Sequence, residues 1–588
     1  MGKAKDSLYG VFKVLVSVVL ISMVLMIFVN AVLRYAFNSG ISATEELSRY
    51  AFVWVSALGA VLGYYQNKHV GVDILVKSLH GLSKLIVQII SEIIVLYALY
   101  IMIFGGYRYF ISTVNLDSAA LPIPMGIITI TPFVMGVAML PKTLMLILDH
   151  VKEYRIGNGG GRMIAVLAFL GSLAVLLPLG VPICFVLVCC AIVLMQVVGM
   201  PDSIIVAQNM VSGTNNFALM AIPFFMLAGE IMGAGGLSRR IVDFANVIIG
   251  RVRGGLGYAT ILASMLFAGL SGSAVADAAA LGGILVPLMV SNGYRKDRST
   301  GIVCAGSVIA PIIPPSIPMI VLATATGLSV SRCFMAGIVP GIILGLVLML
   351  GWAYYVKKDN YQDRRTYTKA ESIKILKESL PALFMPVLIV GGIRLGVFTP
   401  TEAGAFATVY AAIISVFVYK ELDLKGLFDV CIAGTVSTGT VMIIVAAATG
   451  VGWLITIAQI PAMVVKLLAP LVIHPLLLLL LINLFLFVMG MVMDLTPNIL
   501  IFGPILVPLV KAAGIDPIFF AVIMVLNLTI GLITPPVGIV IYLGCGVSGL
   551  DFKSCVKGIL PFCLIEIATL FLFCFFPQLI TAPLAFLT

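Results

Sequence analysis

Charge is scarce in this sequence: 10% of its 588 residues are Asp, Glu, Lys or Arg, while 61% are hydrophobic. So few charged side chains cannot clothe a water-soluble surface, which excludes a soluble enzyme or regulator. Histidine is almost missing, and His69, His80, His150 and His474 never cluster, so no transition-metal site is expected. The ten cysteines lie scattered in apolar segments without CxxC spacing, as buried thiols do and a disulfide framework does not. No GxxxxGK[ST] or GxGxxG stands in a strand–helix context, so ATP-driven work has no engine here and no organic cofactor is expected. The formal charge of +10 does not mark a nucleic-acid binder, because the Lys and Arg lie between apolar spans, as in cytoplasmic loops.

What is present is membrane sequence. A crossing helix needs about 20 mostly apolar residues, and such runs fill most of the chain. They predict an all-α polytopic membrane protein rather than a barrel of short alternating strands. Val14–Leu33, after Lys3, Lys5 and Lys13, is too long for a signal-peptide core and reads as an uncleaved span. Spans near 12–33, 50–66, 84–112 and 124–148 precede a charged, then Gly-rich seam at His150–Met163. Residues 1–155 therefore form a four-helix part with both ends cytoplasmic, and 156–162 a linker.

The remainder is duplicated. A shift of 221 positions lays "ILVPL" at 284–288 on "ILVPL" at 505–509. In the same register Gly293 meets Gly514, Pro314–Pro315 meet Pro535–Pro536, and Gly337 and Pro340 meet Gly558 and Pro561. The copies are 163–353 and 381–588, joined by 354–380, read as a cytoplasmic loop with an interfacial helix. The segment 254–290 is flanked by Arg251, Arg253, Arg295, Lys296 and Arg298, so both its ends face the cytoplasm. Its counterpart 475–510 has only Lys466 and Lys511 nearby. Each is long enough to enter and leave by one face, the two from opposite faces, which is an inverted repeat of re-entrant hairpins.

The hairpins turn at "GLSGSAVAD", 269–277, and "GMVMDLTPN", 490–498. Helices broken by proline follow, 299–326 with "PIIPPSIPMI" and 517–548 with "GLITPPVGI". Irregular backbone at membrane depth survives only inside protein or beside a wet cavity. A break frees carbonyls and amides; carbonyls and hydroxyls suit a small hard cation such as sodium, and half-helix N-termini suit a carboxylate. The candidate cation ligands are Ser271, Ser273 and Ser316 in the first copy, and Asp494, Thr496, Asn498 and Thr534 in the second. Asp277 is a further suspect, since an ionisable group at this depth is costly; capping or packing is its plainer role.

At these residues the chain resembles a known family. "AIPFFMLAGEIMGAGGLSRRIVDFA", "LSGSAVADAAALGGILVP", "TPTEAGAFATVYA" and "DLTPNILIFGPILVPLV" resemble the large membrane subunit of tripartite ATP-independent periplasmic (TRAP) transporters, over nearly all of 163–585. "TEELSRYAFVWVSALGAVLGYYQNKHVGVD", 44–73, resembles the small membrane subunit, so the chain looks like a fusion of both. The resemblance implies a bacterial inner-membrane elevator-type carrier, with the four-helix part as scaffold, that couples sodium to uptake of an organic acid delivered by a periplasmic binding protein. Sodium ions would be the only metal. Carried over, their sites are Ser271, Gly272 and Ser273 with the backbone around Pro314–Ser316, and Asp494, Thr496 and Asn498 with Thr534 and Gly538. Ser273, Ser316 and Asp494 are the expected substrate contacts, and "PTEAG", 400–404, is expected near the first ion site. Fusion of the membrane subunits, familiar among sialic-acid systems, favours sialic acid (N-acetylneuraminate) over C4-dicarboxylates. A sodium–dicarboxylate carrier without a soluble partner is the second reading, against which residues 1–155 stand. An intramembrane enzyme would need a catalytic pair at one depth, whereas Asp277 and Asp494 fall at non-equivalent repeat positions.

Overall fold

The computed structural model describes residues 2–37, 39–66, 68–69, 82–118, 123–153, 172–173, 176, 180–198, 202–361, 367–458 and 460–587. The linker expected at 156–162 lies outside them. Among the described residues there is no strand, only an isolated bridge between Asp117 and Pro124. Twelve described helices are long and apolar enough to cross a membrane.

The N-terminal part carries α1 (Gly2–Phe37), α2 (Ser42–Tyr65), α3 (Leu82–Thr113) and α4 (Thr131–Glu153). Each outruns the apolar span expected there at one end or both, because helix geometry continues past the hydrocarbon edge. Then come α5 (Ile183–Val198) and α6 (Ser203–Thr214), the latter started by Asp202, whose carboxylate accepts the Ile204 N–H at 3.0 Å.

The large part continues with α7 (Ala221–Ala234), α8 (Leu237–Ile249), the hairpin α9 (Gly255–Ser271) and α10 (Ala274–Ser291), and the broken pair α11 (Lys296–Ser307) and α12 (Ile317–Thr326). Next are α13 (Val330–Lys358), α14 (Lys369–Arg394), α15 (Pro400–Ile413), which ends in a π-turn at Ile414–Val418, and α16 (Leu424–Ile457). The second hairpin is α17 (Pro475–Val492) and α18 (Leu495–Ala512), and the second broken pair α19 (Pro517–Gly531) and α20 (Ile539–Ser548), before α21 (Phe552–Phe575) and α22 (Gln578–Leu587). Two inverted repeats, each with a re-entrant hairpin and a broken helix, are thus present. α10 and α18 keep the 221-residue offset at both ends. Both breaks contain a cis peptide bond, Pro314–Pro315 and Pro535–Pro536.

One stretch differs from its expected form. Of 354–380, residues 354–358 belong to α13 and 369–380 to α14. The Thr368 side chain accepts the Glu371 N–H at 3.2 Å, and the Glu371 carboxylate takes the Thr368 N–H at 2.8 Å. That reciprocal box starts a helix that runs unbroken to Arg394, through Pro381 and Pro386.

The chain forms two compact units. One holds 1–220, 431–467 and 500–506; the other holds 221–430, 468–499 and 507–588. In the first, α2 meets α16 at glycine: a Cβ on Gly59 would strike the Thr435 carbonyl, and one on Gly439 the Gly59 backbone. Small residues permit such backbone approach where apolar solvent gives helices little reason to associate. In the second, α7 lies along α15, where the Thr408 hydroxyl donates to the Phe224 carbonyl at 2.8 Å. All the candidate ion-site residues belong to this second unit.

Candidate functional site

α9 ends at Ser271 because Gly272 turns left-handed, with φ +62°. Ser273 then caps α10, its side chain accepting the Ala276 N–H at 3.4 Å. Ser271 Oγ donates to the Asp277 carboxylate and accepts the Ser273 N–H at 3.2 Å. Asp277 is fully buried, and its Oδ2 has no hydrogen-bond partner among the described residues.

The first break faces this tip. Pro311, Pro314, Pro315 and Pro318 have no N–H to give, so the helix cannot close across them. The carbonyl oxygens of Ile312, Ile313, Pro314 and Pro315 accept no hydrogen bond among the described residues. Two of them lie against the hairpin: a Cβ on Gly272 would collide with the Pro315 oxygen, and one on Gly269 would be 3.7 Å from that of Pro314. Ser316, fully buried, caps α12 by accepting the Met319 N–H at 3.2 Å and donates to the Pro311 carbonyl at 2.5 Å. Ser271, Gly272, Pro314 and Pro315 are therefore brought together, with Ser273 and Ser316 as the caps on either side.

The second tip is built differently. Met493 stands where the first has its left-handed glycine, in extended backbone, and Asp494 begins α18 without a side-chain cap bond. The Asn498 amide closes the turn instead, donating to the carbonyls of Met489, Met493 and Asp494 at 3.3, 3.1 and 3.1 Å. Its buried Oδ1 has no partner among the described residues. Thr496 is buried on the first turn of α18 and Asp494 half-buried. The neck of this hairpin is pressed to the second broken helix, since a Cβ on Gly531 would fall 2.6 Å from the Gly490 backbone. Thr534 uses its hydroxyl within the break, donating to the Ile530 carbonyl at 2.8 Å and lying 3.4 Å from the Cys563 sulfur. Gly538 begins α20 with φ +51°. The carbonyls from Ile533 to Val537 accept no hydrogen bond among the described residues. This break is more open than the first: Pro536 is exposed, whereas Pro314 and Pro315 are buried.

Unsatisfied carbonyl oxygens, hydroxyls and a carboxylate gathered in a buried place fit a hard cation. The first pair offers such oxygens from two chain segments at one point. The Ser271–Asp277 bond is not visible in sequence, because the spacing reaches across a turn rather than along a helix. Two further buried polar features are not visible in the sequence: Asn527 donates to Asn483 Oδ1 at 2.7 Å, and Glu566 is buried with neither oxygen partnered among the described residues. In "PTEAG", Glu402 accepts the Thr399 N–H and hydroxyl, both at 2.9 Å, and Gly404 lets α15 approach Phe224.

Residues 170–579 match the family described as "Tripartite ATP-independent periplasmic transporter, DctM component", and residues 23–153 match its "DctQ component". The chain belongs to the TRAP transporter family. It is 32% identical over 584 residues to the sialic acid TRAP transporter permease protein SiaT of Haemophilus influenzae, covering 93% of this chain and 94% of that one. It is 33% identical over 562 residues to the isethionate TRAP transporter permease protein DctMQ of Oleidesulfovibrio alaskensis, with 91% and 87% covered. The 2,3-diketo-L-gulonate TRAP transporter large permease protein YiaN of Escherichia coli is 48% identical over 420 residues, 71% of this chain and 99% of the relative. In fold the chain is similar to the crystal structure of the Alcanivorax borkumensis YdaH transporter, with a TM-score of 0.50 at 13% identity over 64% of this chain and 88% of that one. As a TRAP permease with both membrane components fused, it is a multi-pass inner-membrane transporter.

Proposed function

We propose that the chain imports a small organic anion by sodium symport, taking its substrate from a periplasmic binding protein. The observation that carries the sodium reading is the pair of unbonded carbonyls at Pro314 and Pro315 facing the Ser271–Gly272 tip, with Asp277 behind it. One sodium is assigned to Ser271, Gly272, Ser273 and the backbone of Pro314–Ser316. A second is assigned to Asp494, Thr496 and Asn498 with Thr534 and Gly538. The substrate anion lies beside them against Ser273, Ser316 and Asp494, where the N-terminus of α12 adds partial positive charge. Hairpins and breaks travel as one elevator body, so ions and anion cross together. One net positive charge falling through 100 mV supplies about 2.3 kcal/mol, or about fortyfold accumulation.

The fused relatives act on sialic acid in one case and isethionate in another, so fusion does not select the acid. The higher identity to a 2,3-diketo-L-gulonate permease makes that compound and related hexonates the first to try, with sialic acid next and C4-dicarboxylates after. The test is uptake into proteoliposomes of these acids, with and without the cognate binding protein, under an imposed sodium gradient. Uptake indifferent to sodium refutes the symport. Undiminished uptake without the binding protein identifies an autonomous sodium–dicarboxylate-type carrier instead.

A further inference from the structure

α14 shows two unlike faces. Ser379, Ala382, Met385, Ile389 and Ile393 are buried against the protein. On the other side Ile373, Leu376, Leu380, Phe384 and Val387 form an unbroken apolar stripe, each 47–63% exposed. The stripe is about 21 Å long at 1.5 Å per residue. Its upper part, from Leu380 on, continues the apolar span. Ile373 and Leu376 lie up to two turns beyond that, among charged residues.

The charges are sorted around the helix. At about 100° per residue, Lys369 and Lys377 fall within about 60° of the middle of the stripe. Glu371 and Glu378 fall on the opposite side, that of the buried face. Glu371 is occupied with the Thr368 cap, and Glu378 with Lys374 at 3.9 Å. Lys369 and Lys377 are exposed and form no ion pair among the described residues. Exposed Arg251 adds a further cation here, donating to the Ser372 hydroxyl at 3.4 Å. Ser379 anchors the helix, donating to the Arg240 carbonyl at 3.0 Å, so this face is held outward.

Apolar surface that ends between exposed lysines matches one kind of neighbour, a lipid whose tails cover Leu376–Phe384 and whose head carries negative charge. We infer that the cytoplasmic half of α14 is a binding surface for anionic phospholipid of the inner leaflet, with Lys369 and Lys377 holding the phosphates. A zwitterionic lipid would cover the same stripe, but the ammonium in its own head group offsets its phosphate and leaves the net charge of the two lysines unanswered. The surface is independent of which acid the chain carries.

The test is native mass spectrometry of the full chain exchanged from nanodiscs of phosphatidylcholine alone, or of the same lipid with one third replaced by phosphatidylglycerol. The wild type should retain phosphatidylglycerol preferentially. K369Q/K377Q should weaken that retention about 25-fold, at about fivefold per lysine, and leave phosphatidylcholine unchanged. K369R/K377R should keep it. Equal retention by the Gln variant, or no preference in the wild type, overturns the inference. So does displacement by inorganic phosphate at matched concentration, which assigns the lysines to a free anion. Dimers in phosphatidylcholine that persist in K369Q/K377Q assign the stripe to a second copy and likewise overturn it. Should the Gln variant fold poorly, the wild type decides: retention must fall as salt rises, and salt-independent retention counts against it.

Discussion

Gly272→Ala isolates the contact on which the first ion site depends. The residue is at φ +62°, where a side chain costs about 1–2 kcal/mol, and its Cβ would overlap the Pro315 carbonyl oxygen. That oxygen is backbone, so it cannot swing aside as a flexible side chain would. The strain is relieved only by separating hairpin tip from break, which pulls one set of expected sodium ligands from the other. If 1–2 kcal/mol is lost from ion binding, the sodium constant rises about fivefold to thirtyfold. Gly327→Ala is the control: it also sits left-handed, at φ +71°, and its Cβ would meet nothing within 4 Å. Both substitutions carry the backbone penalty, and only one reaches the site. The assay is thermal unfolding of purified protein titrated with sodium chloride against choline chloride at constant ionic strength, since an ion that binds only the folded state stabilises it. Gly272→Ala should shift the sodium midpoint to higher concentration and Gly327→Ala should not. Equal shifts, or none in either, refute a cation site between the tip and the first break.

Three further outcomes follow from the same geometry. Ser316→Ala removes the α12 cap and the bond to Pro311, so stability should fall by about 0.5–2 kcal/mol, with Ser316→Thr recovering most of it in the same melts. Asp494 caps nothing, so Asp494→Asn should unfold at nearly the wild-type temperature without sodium yet lose much of the sodium-induced rise; a lower melting point with an intact sodium response would make it a structural residue. Gly59→Val forces α2 off α16, an overpacking of about 1–3 kcal/mol, and should reduce the monodisperse fraction in size-exclusion chromatography, whereas a normal profile would mean that the helices can separate without harm.

The elements around the site were readable from sequence because two copies constrained each other: a turn or break common to both, 221 residues apart, is not local noise. Proline and glycine gave their positions directly, through the missing N–H and the left-handed turn. What could not be read depends on contacts distant along the chain. Nothing in the spacing of Ser271 and Asp277 says that the chain folds back between them, or that Asn483 meets Asn527. The charged segment 354–380 reads as a loop with an interfacial helix; that this helix starts at the Thr368–Glu371 box and runs on unbroken to Arg394 is not legible, because the box is a weak local signal beside so many polar residues. Likewise the seam near residue 155 is a boundary of composition, while one compact unit draws on both sides of it: residues 431–467 of the large part belong with 1–220.

A helix interrupted by an ordinary residue can fluctuate shut, because every amide needed to rejoin the two halves is present. At Pro311, Pro314, Pro315 and Pro318 those amides do not exist. The first break is therefore a permanent gap, and its unbonded carbonyls have no way to hide from hydrocarbon on their own. Other parts of the protein must shelter them at every stage of the cycle, loaded or empty. The hairpin tip at Gly272, set against Pro315, is one such shelter, as Gly337 on α13 is for Ile312, and the tip cannot leave without uncovering the Pro315 oxygen. For this carrier, moving substrate by sliding tip past break would expose bare peptide groups to lipid; moving both as a single rigid piece would not.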